Sequence, residues 1–88
     1  MIISMVNATV SHEIRNPVNS ISCQNAAIKM LVDRIDDLIE LLRKPDFSPK
    51  NFEERLTRVK RKISEALLIN ISSQKLITFL VEDLLDLS

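Results

Sequence analysis

The chain has 88 residues, 45% hydrophobic and 27% charged, with twelve basic and twelve acidic side chains and a formal net charge of zero. That length allows one small domain, and the balanced charge indicates no nucleic-acid surface. There is no glycine, which argues against Gly-rich phosphate loops and tight β-hairpins. The one cysteine, Cys23, cannot form an intrachain disulfide.

The first predicted element is a helix over about residues 2–44. Met1 to Val6 is apolar but far too short to span a bilayer, and it lacks a signal-peptide layout, so no direct membrane contact is expected. A seven-residue repeat follows. Ile14, Ile21, Ile28, Ile35 and Leu42 share one position, taken here as position a of a heptad lettered a to g. Val10, Leu31 and Leu38 fill the second core position, and Val18, Val32 and Ile39 widen the stripe. A stripe wider than two positions per heptad suits a four-helix bundle better than a two-stranded coil.

The run Lys44-Pro45-Asp46-Phe47-Ser48-Pro49 is the one strong punctuation point, with a turn expected over about residues 45–48. Pro45 biases Lys44 away from helical geometry. Ser48 followed by Pro49 is a helix start, a hydroxyl to cap orphan amides and then a residue whose missing N–H costs nothing there. Phe47 and Phe52 occupy the two positions of a hydrophobic staple. The second predicted helix covers about residues 49–88, with Leu56, Ile63, Ile77 and Leu84 in one row and Val59, Ala66, Leu80 and Leu87 in another.

Each helix of about 40 residues is roughly 60 Å long at 1.5 Å per residue. A hairpin of two such helices buries one side of each stripe and cannot make a sufficient core alone. The expected fold is therefore all-α, an antiparallel helical hairpin that homodimerises into a four-helix bundle. Residues 1–88 form a single domain in this reading, with Ile14, Ile21, Ile28 and Ile35 in the dimer core. Folding about Phe47 sets the polar interruptions Gln24 and Asn25 level with Asn70, Ser73 and Gln74. Such a layer either fixes register, as a buried Asn does in coiled coils, or is a solvated gap. The same fold sets acidic Asp33, Asp36, Asp37 and Glu40 opposite basic Arg55, Arg58, Lys60 and Arg61. Exposed pairs of that kind contribute about 0–1 kcal/mol each. The sequon at Asn70-Ile71-Ser72 lies inside a predicted helix rather than a loop, which argues against a glycosylation acceptor.

The chemistry is concentrated in Ser11-His12-Glu13-Ile14-Arg15-Asn16-Pro17, which holds the only histidine. In the frame set by Ile14, His12 falls at position f and points away from the core. An ordinary exposed histidine is the default for a lone His on a helix, and its neighbours are what argue otherwise. Glu13 can accept a proton from one imidazole nitrogen or orient it, leaving the other as nucleophile. Asn16, one turn on, can hold a phosphoryl oxygen or a water. Pro17 cannot donate to the Glu13 carbonyl, so the helix is expected to bend there and open space for a second domain. A metal site is not expected, because one His without clustered Cys or paired carboxylates gives too few ligands.

The pattern His12-Glu13-x-x-Asn16-Pro17, followed by Val18-Asn19-Ser20-Ile21, resembles the H-box of sensor histidine kinases, in their HisKA-type dimerisation and histidine-phosphotransfer domain. The run Leu80-Val81-Glu82-Asp83-Leu84-Leu85-Asp86-Leu87-Ser88 resembles the close of that domain's second helix, so the resemblance covers essentially the whole chain. It implies a parallel homodimeric bundle in a two-component phosphorelay. His12 would be the phosphoacceptor and Glu13 the general base that polarises it. Asn16, where many relatives have threonine, would position the phosphoryl group or a water. The γ-phosphoryl would come from ATP and Mg bound by a separate ATP-binding domain of the same kinase, absent from these 88 residues, so the chain alone is expected to be inactive and to hold no cofactor. The phosphoryl would pass to an aspartate on the receiver domain of a response regulator, docked near Asn19, Ser20, Cys23 and Ala27. A small helix-surface filler is the plainer reading of Cys23. The resemblance also implies a position on the cytoplasmic side, whether or not the parent protein is anchored in a membrane.

Two other classes remain open on the sequence. A free histidine-phosphotransfer protein also carries one surface histidine on a helical bundle, usually built from one chain with more helices. A plain helical dimerisation module would carry His12 with no catalytic meaning.

Overall fold

Two stretches without glycine, and with proline inside only at Pro17, give two long helices, α1 (Ile2–Leu41) and α2 (Pro49–Leu87), of 40 and 39 residues. The computed structural model describes the backbone of residues 2–87 and the side chains of residues 9–83. The expectations for Leu84, Leu87 and Ser88 lie outside the described side chains. The helices fold back on each other into an antiparallel hairpin of 69 × 14 × 12 Å, with no strand among the described residues.

The turn is built from local chemistry. Ser48 Oγ accepts from the Asn51 amide at 3.3 Å, and the Ser48 carbonyl accepts from the Phe52 amide at 3.0 Å. These are the bonds of an N-cap residue. The Phe47 and Phe52 rings meet edge-to-face with centroids 5.6 Å apart, closing the staple across that cap. Ser48→Ala should lower stability by about 1 kcal/mol, read as a lower midpoint of denaturant unfolding with helicity unchanged at zero denaturant.

The first helix ends earlier than the expected residue 44. After Leu41 the amides of Leu42, Arg43 and Lys44 bond back three residues, to Ile39, Glu40 and Leu41, at 3.2, 3.1 and 3.2 Å. This tighter winding satisfies the last carbonyls of α1. It also carries Leu42 off the core stripe, leaving it 51% exposed, while the half-buried Leu41 packs on the core instead.

Between the helices, the two heptad rows separate into distinct roles. The row Pro17, Gln24, Leu31, Leu38 on α1 faces the row Val59, Ala66, Ser73, Leu80 on α2, and all of these are buried except the half-buried Gln24. Leu31, Leu38 and Val59 form the core cluster, with Ile35, Leu41, Phe52 and Ile63 packed against it. Leu38 is the most enclosed, at 2% exposure. The row Ile14, Ile21, Ile28, Ile35 is only half-buried, and so are Ile63 and Ile77 opposite. Their neighbours Val18, Val32 and Ile39 are exposed.

The polar layer forms where the sequence sets it. Asn70 Nδ2 donates to Asn25 Oδ1 at 2.9 Å, and Asn70 Oδ1 is closed to solvent without a hydrogen-bond partner. An unmet buried acceptor costs about 1–3 kcal/mol. The half-buried, bonded Asn70 amide is poorly placed as a glycan acceptor.

The expected charge pairing between helices is not made. Asp37, Arg34, Arg55 and Arg58 line one groove, but among the described residues the single ion pair joins Arg43, just past the end of α1, to Glu40 in its last turn at 3.6 Å. All these side chains are exposed, and solvation competes with a weak surface attraction.

Candidate functional site

The α1 helix continues without a break through His12 and Pro17. Its frame is fixed by Pro17 and Leu31 turning into the hairpin, which leaves His12, Glu13 and Asn16 exposed on the outside. Pro17 is buried, facing α2 near the level of Leu80. Its ring removes one backbone hydrogen bond, the one the Glu13 carbonyl would otherwise accept. The proline therefore both packs the hairpin and loosens the helical ladder next to the histidine.

Among the described residues, His12 makes no hydrogen bond or ion pair with Glu13 or Asn16. Adjacent residues on a helix do not face each other, whereas residues one turn apart do. His12 and Asn16 thus share a face, and Glu13 reaches the ring only by swinging its side chain. What the arrangement offers is an exposed imidazole without a hydrogen-bond partner among the described residues. Among the described residues no three His, Cys, Asp or Glu side chains converge on a possible metal position. No described helix is long and apolar enough to cross a membrane.

Below the histidine, Asn19 and Cys23 are exposed, and Ser20 and Ala27 are half-buried. Ala27 continues into an open groove of about 270 Å³ between the helices, lined also by Gln24, Met30, Leu31, Ala66 and Ile69, with Arg34, Lys62 and Glu65 at its sides. Sequence reasoning missed Met30 and Ile69, although Met30 is 62% exposed and lies outside the a and d rows. It also missed Leu68, Ile71 and Phe79 on the outer side of α2, where Ile71, Thr78 and Phe79 line a shallow hollow of about 350 Å³. Apolar residues outside the two core rows of each helix are the available signal for both.

No family model, curated protein or solved structure matches this chain.

Proposed function

We propose that the chain is the dimerisation and histidine-phosphotransfer domain of a sensor histidine kinase. His12 takes the γ-phosphoryl group of ATP from a separate ATP-binding domain and hands it to an aspartate of a receiver domain. The observation that carries this reading is the sole histidine standing exposed on the outer face of a long helix, in the run His12-Glu13-x-x-Asn16-Pro17, with Pro17 buried beneath it. Glu13 draws the proton from one ring nitrogen so that the other attacks phosphorus. Asn16, on the same face, holds a phosphoryl oxygen in transfer and a water in hydrolysis. The receiver docks on Asn19, Ser20, Cys23 and Ala27 and reaches the adjoining groove with its Met30 and Ile69.

A homodimer is part of the proposal. A monomer of 10.1 kDa is expected to expose about 5,300 Å², and this hairpin exposes 7067 Å². The excess of about 1,800 Å² per chain matches an obligate homodimer interface. The half-buried isoleucine row and the exposed Val18, Val32 and Ile39 beside it supply an apolar surface for it.

Supplying an ATP-binding domain of this class with Mg-ATP should label the chain, and a receiver domain should then remove the label. A chain that takes no label from any such domain is a plain dimerisation module. Asn16→Ala should slow loss of the phosphoryl group in the presence of receiver more than it slows labelling, measured as the two rates side by side. Equal effects on both would place Asn16 in positioning alone.

A further inference from the structure

Two apolar rows on one side of the hairpin are each interrupted once, at the same level. On α1 the row is Val18, Asn25, Val32, Ile39, and its apolar members are exposed. On α2 it is Leu56, Ile63, Asn70, Ile77. The bond from Asn70 Nδ2 to Asn25 Oδ1, 2.9 Å, joins the two interruptions into one polar layer across the hairpin. That layer has hydrogen-bonding capacity to spare. Asn25 is exposed, with no partner to its own amide nitrogen among the described residues, whereas Asn70 Oδ1, also without a partner, is closed to solvent within the hairpin.

Any surface that covers this face strips water from the Asn25 amide. An apolar surface at that level leaves the amide unpaired, whereas a surface carrying its own amide there does not. The geometry points to the Asn25–Asn70 layer as the element that sets the register of two copies of this chain: the second copy docks with its own layer level with this one, and the amides bond across the two-fold axis. This inference rests on the homodimer proposed above. The occupant is a second copy because the area left exposed matches a homodimer's need and because symmetry brings an identical amide pair to the same level. The apolar pattern alone does not choose the register. A slide by one heptad still sets isoleucine rows against isoleucine rows, but it moves Asn25 against the level of Val18 or Val32 and Asn70 against that of Ile63 or Ile77. The slide is disfavoured because it buries amides against hydrocarbon, as a polar core residue disfavours misaligned coiled coils.

The test uses Asn25→Leu, Asn70→Leu and the double variant, followed by sedimentation equilibrium and by counting backbone amide resonances. Each single change leaves an amide against leucine and should raise the dimer dissociation constant about tenfold. The double variant has no amide to misplace. Its dissociation constant should return to the wild-type value or below, and its resonances should split into more than one set as shifted registers become populated. Asn25 is exposed in the single hairpin, so Asn25→Leu leaves the hairpin folded even if Asn70→Leu disrupts α2. Single variants that tighten the dimer, or a double variant with one set of resonances, overturn the role of the layer and leave the dimer standing. A wild-type monomer at micromolar concentration overturns both.

Discussion

Ile28→Asp should turn a helical dimer into a largely unfolded monomer. Ile28 is half-buried in the hairpin, in the middle of the row Ile14, Ile21, Ile28, Ile35 that the proposed dimer encloses. The substitution removes about 1.5–3 kcal/mol of apolar burial and adds a carboxylate whose desolvation costs several kcal/mol without a partner. Two-fold symmetry places the change twice in each dimer. Domain stability is only about 5–15 kcal/mol, so the loss is comparable with the whole. Circular dichroism should show most of the helical signal gone at micromolar concentration, and sedimentation should show the monomer mass. Ile28→Leu, a volume-conserving change, should cost less than about 1.5 kcal/mol. A stable helical dimer of Ile28→Asp would remove this row from the interface.

Glu13→Gln should slow labelling of His12 by the 10²–10⁴-fold typical of losing a general base, without unfolding the chain. The side chain is exposed and holds no hydrogen bond among the described residues, so the near-isosteric amide disturbs no packing. The amide can neither take a proton from the ring nor offer a negative charge to an imidazolium, while its size is unchanged. Initial rates at saturating ATP-binding domain, with a circular dichroism spectrum as the folding control, decide the matter. An unchanged rate would leave His12 without this base.

The fold was legible where it depends on residues close in the chain. Ser48, Pro49, Phe47 and Phe52 specify the cap and staple by their own chemistry, and the structure forms both. The level of the polar layer followed from the turn, and Asn25 meets Asn70 there. The end of α1 was less legible. Pro45 restricts only Lys44, while the tightening after Leu41 depends on how the chain reverses. The heptads gave two rows per helix but not their roles, because these depend on how each helix is rotated about its axis. Pro17 lies at the d position of the heptad frame, and its pyrrolidine ring fills the buried row there, a packing role that its effect on backbone hydrogen bonding does not reveal. Opposed charges such as Asp37 and Arg58 were placed at one level but not joined, since long exposed side chains gain little from ordering.

The candidate site was legible to a similar depth. The outward position of His12 follows from the frame set by Ile14, and the structure leaves His12, Glu13 and Asn16 exposed. A contact between Glu13 and the imidazole does not follow from sequence adjacency, because neighbours on a helix diverge.

Mapping the phosphoryl group tests the central claim most directly. The chain and its His12→Gln variant are incubated with Mg-ATP and an ATP-binding domain that labels the wild type, and the modified residue is located by mass spectrometry under alkaline conditions. The account predicts acid-labile, alkali-stable phosphate on His12 alone, and an unlabelled His12→Gln that sediments as the wild type does. Phosphate on a serine or threonine, or label that survives in His12→Gln, would contradict it and leave a helical dimerisation module whose histidine has no catalytic role.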